Sequence, residues 1–392
     1  MDIKRELPIP ETERSARVLE SKTNDPVIRL SIDARHLAAG GETSFVQLLL
    51  TWAGARKPAC LQFRKSGAAE ASAEHSKLTE RFYGIVASLL SDRYLDGDGR
   101  EMERGPVLSD ALARLDQLYG PDPGSALKGP TWATLCADDI NRSAPHVLYR
   151  GQRSGDAILR TREEFSSVVD SLVQHTFPSA RNFLSREDVS AIAAMLYEIF
   201  RNTEDHALHN FDGSRIRKSV RGVFSQQHAM TPAKLSELAG VYKPLSEYCA
   251  NLPVRHGAGS TRPLQQANLL EISTFDSGPG FAESFRKKRR SMMTAHEELD
   301  AVQECFLKNA TSKGRPGFGQ GLSRVLKLLR EKKGFLRLRT GSLSLFIDLN
   351  NTDWDGNPST SPQLRTWNLD GDALSAMRGS LLTFFIPLRA PE

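Results

Sequence analysis

The sequence predicts an α/β protein, and three observations point there. Short β-branched runs alternate with longer stretches whose apolar residues recur every three or four positions. Gly and Pro clusters separate these runs. Apolar residues make up 39% of the 392 and charged residues 25%, the balance of a globular chain with a buried core.

Residues 1–24 are polar and read as a flexible, irregular arm. Val27 to Asp33 alternates and is β-branched, which predicts a strand. Gly40 and Gly41 break the chain. Thr43 to Ala55 follows as a helix, with Phe45, Leu48, Leu49 and Trp52 on one face. Ala59 to Phe63 is a second strand, and residues 74–91 carry Leu78, Phe82, Ile85, Val86 and Leu89 at helical spacing. Strand, helix, strand and helix define an N-terminal α/β domain over 25–150, with one more helix expected at Leu108–Leu118.

Residues 160–392 read as a second domain. Helical patterns cover Glu163–Val173 and Val189–Leu208. Residues 209–262 are polar and basic, with weak periodicity and breaks at Pro232, Pro244 and Pro253. Asn268–Phe275 is a strong strand and Leu322–Arg330 a helix. Phe335–Leu349 is a hairpin around Gly341 and Ser342. Residues 350–372 form a polar excursion, and Gly379–Pro387 is a last strand.

No apolar run approaches the ~18 residues of a membrane-spanning helix. Met1 to Glu6 lacks the apolar core of a signal peptide. Cys60, Cys136, Cys249 and Cys305 have no paired spacing, which speaks against a zinc site or disulfide framework and for a reducing cytoplasm. The net charge of +5 is mildly basic, and part of the excess is the run Arg286–Arg290. That run is a solvated surface, or a contact for nucleic acid, an acidic partner or phosphates. Composition does not choose among them.

Three segments carry chemistry, in one order. The first is Glu198-Ile-Phe-Arg-Asn202-Thr-Glu-Asp205-His206. On a helix, Glu198, Asn202, Asp205, His206 and His209 share one stripe, and Ile192, Met195, Leu196 and Ile199 share the adjacent one. One stripe can pack in a core while the other lines a cavity. A carboxylate and an amide oxygen then stand one turn apart, a pairing suited to magnesium and its waters. The spacing of His206 and His209 also suits a metal, but no Cys or third His lies nearby in sequence.

The second segment, Asp276-Ser-Gly278-Pro-Gly280, follows an apolar strand. A carboxylate at a strand end can accept a hydrogen bond from an exocyclic amine, and the glycines allow a tight turn. The third, Gly317-Phe318-Gly319-Gln320-Gly321-Leu322, opens a helix whose N-terminal amides would point at an anion. A Rossmann loop fits poorly, because no strand directly precedes these glycines.

In this order the segments resemble the N box and the two glycine boxes of the GHKL ATP-binding superfamily. That superfamily includes gyrase-type topoisomerases, the ninety-kilodalton heat-shock chaperones, histidine kinases and the MutL mismatch-repair proteins. The resemblance covers roughly residues 160–390 and implies a Bergerat-type α/β sandwich. In that fold a mixed, mostly antiparallel sheet is covered by helices, and ATP lies between the helix layer and a lid, here residues 305–320. The resemblance implies Asn202 as a Mg²⁺ ligand and Glu198 as the group that polarises the attacking water. It implies nucleotide contacts from Asp205 and His206, and selection of adenine by Asp276.

Thr311, Ser312 and Lys313 are similar to the T-T-K or S-T-K before the second glycine box, with Lys313 meeting phosphate charge and Arg315 ranked behind it. Gly379-Ser380 resembles the G-T that begins the closing strand, with Ser in place of Thr. Thr383, three residues on, would face the other side of that strand. The long stretch between the first two segments and the excursion at 350–372 depart from compact kinases and leave the branch open.

Glu198 points away from sensor kinases, many of which have Asn or His there. Anti-sigma-factor serine kinases can have Glu with a closing His, as His206 stands here. His175-Thr-Phe-Pro178 lacks the neighbours of a phosphoacceptor box. The expectation is an ATPase that uses lid closure as a switch towards a protein partner or a second copy. A protein kinase and a non-catalytic ATP-binding module are the alternatives.

Overall fold

The computed structural model describes residues 8–21, 27–30, 39–54, 58–138, 140, 143–151, 156–178, 183–240, 242–253, 266–306, 321–357 and 363–388, with the backbone alone at 321–324. An antiparallel sheet of seven strands organises the chain. From edge to edge it runs β11 (Arg365–Thr366), β10 (Leu343–Asp348), β9 (Phe335–Gly341), β12 (Met377–Pro387), β8 (Ala267–Asp276), β7 (Val220–Met230) and β4 (Thr131–Ala137), numbered along the chain. Side chains alternate between its two faces. Leu270 and Ile272 of β8 join one core, and Leu269 and Phe275 point to the other side.

Helices α6 (Phe165–Thr176), α7 (Arg186–His206), α11 (Ala295–Glu304) and α12 (Gly321–Glu331) cover the first face through Val168, Leu196, Ile199, Val302, Val325 and Leu329. The opposite face packs on α2 (Gly41–Ala53), α4 (Phe82–Leu90) and α5 (Arg104–Tyr119). Further along, it meets α8 (Pro232–Ala239) and α9 (Lys243–Ala250). A smaller parallel sheet, β1 (Val27–Arg29), β2 (Cys60–Gln62) and β3 (Arg93–Leu95), lies in the same core as α2 and α4. The chain is therefore mixed α/β. Among the described residues, no helix is long and apolar enough to cross a membrane.

Several expectations need correction. The polar arm expected over 1–24 carries a helix, α1 (Ile9–Ser21), with Ile9, Glu13 and Ala16 buried. Its polarity misleads because Glu13 is matched inside the fold. Arg339 donates to it bidentately from Nε at 2.8 Å and Nη2 at 3.0 Å. The stripe at 74–91 is two helices, α3 (Ala68–Leu78) and α4, separated at Thr79–Arg81.

The weakly periodic stretch 209–262 holds β7, an eleven-residue inner strand. Its polar residues are satisfied by neighbours. Ser225 Oγ donates to the Glu271 carbonyl at 2.8 Å, and His228 Nε2 lies 2.8 Å from Glu271 Oε2. From the span assigned to the N-terminal domain, β4 joins the edge of the large sheet by pairing with β7.

Candidate functional site

Helix α7 begins with a capping box: Asp188 N–H donates to Ser185 Oγ at 3.1 Å, and Ser185 N–H to Asp188 Oδ2 at 2.9 Å. Its inner stripe of Ile192, Met195, Leu196, Ile199 and Phe200 is buried. On the outer side, Asn202 and Asp205 are exposed while Glu198 and His206 are half-buried. Both stripes thus stand as their spacing implied. His209 does not follow: α7 ends at His206, and His209 pairs with Arg215 in an isolated bridge. The two histidines do not share a helix face.

The second segment meets the end of this helix. A Cβ on Gly278 would lie 3.0 Å from both Ala207 Cα and the His206 carbonyl oxygen. Only a residue without a side chain permits that approach. From Ala207, Asn202 lies about 7.5 Å and Glu198 about 13.5 Å back along the axis, at 1.5 Å per residue. The turn of the second segment therefore packs against the C-terminal end of the helix that carries Glu198 and Asn202.

Asp276 ends β8 on the face turned to α7, between Arg221 of β7 and Ser380 of β12 in register. Its Oδ1 accepts from Gly278 N–H at 2.7 Å. Burial pushes its carboxyl up to about 6, while the backbone N–H groups of Gly278 and Ser380 and the Arg221 and Arg378 guanidiniums pull it down. The residue as a whole is half-buried. Thr383 turns to the other face, where its Oγ1 accepts from Ser273 Oγ at 3.0 Å.

Of the third segment, only Gly321 and Leu322 belong to the described residues, as the start of α12. Thr311, Ser312, Lys313, Gly317, Phe318, Gly319 and Gln320 lie outside them, as does Arg315. Lys332, just past α12, pairs with Asp188 in the first turn of α7. Helix α12 packs on α7.

Sequence reasoning missed a buried cluster under the end of α7. Arg221 is 4% exposed. It donates to Asp138 Oδ2 at 3.2 Å and Oδ1 at 3.1 Å, to the Tyr149 hydroxyl at 2.8 Å, and it pairs with Glu204. Its guanidinium lies 5.4 Å from the Phe200 ring centroid. This cluster fixes the last turn of α7 to the sheet beside Asp276. Val220, Val223 and Phe224 are spaced i, i+3 and i+4, so no period-two alternation marked its strand. The basic run is partly paired at the surface: Arg286 pairs with Glu304, and Lys288 with Glu297 at 3.7 Å.

None of the protein-family models, curated proteins or solved structures compared with this chain matches it.

Proposed function

We propose that the chain binds ATP with Mg²⁺ in a Bergerat-type site and hydrolyses it, as a switch towards a protein partner or a second copy. Adenine lies at Asp276, whose ionised carboxylate accepts from the exocyclic amine. The phosphates extend along α7 towards the N-terminus of α12, where backbone amides favour an anion. Asn202 offers its side-chain oxygen to Mg²⁺, which neutralises phosphate charge when bound. Glu198, one turn earlier, orients the attacking water.

One observation carries this reading. Gly278 approaches the end of α7 at His206 and Ala207, which brings the turn after Asp276 against the helix that carries Glu198 and Asn202, two segments far apart in sequence. The residues fit the ligand: an exposed amide for the metal, a carboxylate at a strand end for the base, and no side chain at the crossing point.

Incubation with ATP labelled at the γ-phosphate tests the proposal. Release of free labelled phosphate supports it, labelled protein favours a kinase instead, and retained ATP a non-catalytic module. Glu198→Ala should keep ATP binding and lose at least about a hundredfold in turnover. Unchanged turnover in that variant removes Glu198 from the mechanism.

A further inference from the structure

Arg378 links the N-terminal unit to the 276–280 turn. Arg378 stands at a bulge in β12, where the register with β9 shifts between Met377 and Ser380. Bulges re-aim side chains. Its backbone is tied to α2: Arg378 N–H donates to Thr51 Oγ1 at 3.0 Å, and its carbonyl accepts from Gln47 Nε2 at 3.4 Å. Its guanidinium Nε donates to the Ser277 carbonyl at 2.9 Å, inside the turn that follows Asp276.

The same side chain lies over Gly54, the C-cap of α2. A Cβ there would lie 2.6 Å from Arg378 Nη1 and 2.9 Å from Cδ. A cation at a helix C-terminus is favourably placed against the helix dipole. A continuous path therefore runs from α2 through Arg378 to Ser277, then through Gly278 to the end of α7.

We propose that Arg378 is a positioning residue through which the N-terminal unit sets the geometry of the 276–280 turn, and with it nucleotide affinity. The second half rests on the ATP-binding reading above; the first half does not. Coupling of this kind is reciprocal: a ligand or partner that shifts α2 changes nucleotide affinity, and nucleotide changes the affinity for that partner by the same factor.

The test uses the full chain with Arg378→Gln, Arg378→Lys and Thr51→Val. Amide hydrogen exchange at Ser277, Gly278 and Gly280 is read without nucleotide, and ATP affinity is read by titration. Arg378→Gln should speed exchange at the turn roughly tenfold while the strand interior at Leu270–Ile272 stays protected. Thr51→Val should do the same to a smaller extent, and Arg378→Lys should restore part of the protection. ATP affinity should fall about tenfold in Arg378→Gln, within the usual range of coupling between sites. Unchanged exchange at the turn in Arg378→Gln overturns the proposal, whatever happens to ATP. Faster exchange in a protein that binds no ATP upholds the positioning role and removes the nucleotide reading instead.

Discussion

Ser380 and Asp276 stand opposite each other across β12 and β8, and the backbone N–H of Ser380 reaches the Asp276 carboxylate. Gly379 makes this pairing achievable. Its φ is +74°, and a Cβ would stand 1.7 Å from the Asp276 carbonyl oxygen. Gly379→Ala should therefore cost about 3 kcal/mol or more, through strain and displacement of the strand. Urea unfolding measures the cost. A loss under about 0.5 kcal/mol, typical of neutral surface changes, contradicts the geometry.

Asp276 also sets a pH dependence. Its carboxyl titrates at about 6 in the fold. An ionised carboxylate accepts from an amine and a protonated one competes as a donor, so ATP affinity should fall as pH drops through 6. Titrations at pH 5 and pH 8 compare the two states. Stability carries the opposite sign. The native state holds this proton more tightly than the unfolded chain, so the contribution is present at low pH and is lost as pH rises through about 6. Asp276→Asn should be about 1 kcal/mol more stable at pH 8, yet bind ATP less well. A variant that binds ATP as the parent does rules out the adenine contact.

Glu42 obeys the same rule far from the site. It is buried in the first turn of α2, its Oε1 accepts from Tyr83 N–H at 3.2 Å, and burial raises its carboxyl from 4.5 to about 7. Its contribution is complete below about 4.5 and is lost as pH rises through 7. Glu42→Gln keeps the acceptor without the charge, so it should stabilise the protein at pH 8 by about 2 kcal/mol and little at pH 5. Thermal unfolding at the two pH values reads the difference. Equal shifts at both would show that Glu42 is not the titrating group.

Glu13 ties α1 to the sheet. It and Arg339 are buried, and Arg337 Nη2 lies 3.5 Å from its Oε1. Removing one partner leaves buried charge uncompensated, so Glu13→Ala should cost about 3–5 kcal/mol. Denaturant unfolding of the variant measures this. A cost below about 1 kcal/mol would fit an arm that contributes nothing to the core.

Local patterns read well where apolar spacing and burial coincide. The β8 strand, the α7 stripe and the β9–β10 hairpin register, Thr340 opposite Leu343, all follow from period and turn chemistry. They read poorly where a polar residue is satisfied by a distant one. β7 was hidden because Arg221, Ser225 and His228 look exposed in sequence, and Asp138 and Glu271 make them buried. The α1 helix was hidden by Glu13, whose partner Arg339 lies far along the chain.

By itself, the sequence determined the α/β class, the two-stripe helix, and the order of the three polar segments. These depend on spacing along the chain, which neighbours in sequence specify. Only the tertiary structure decided that Gly278 touches the end of α7, that Ser380 stands beside Asp276, and that Arg378 joins α2 to the turn. Those relations rest on strand register and on close approach of backbones from distant segments, and neither is encoded in local periodicity.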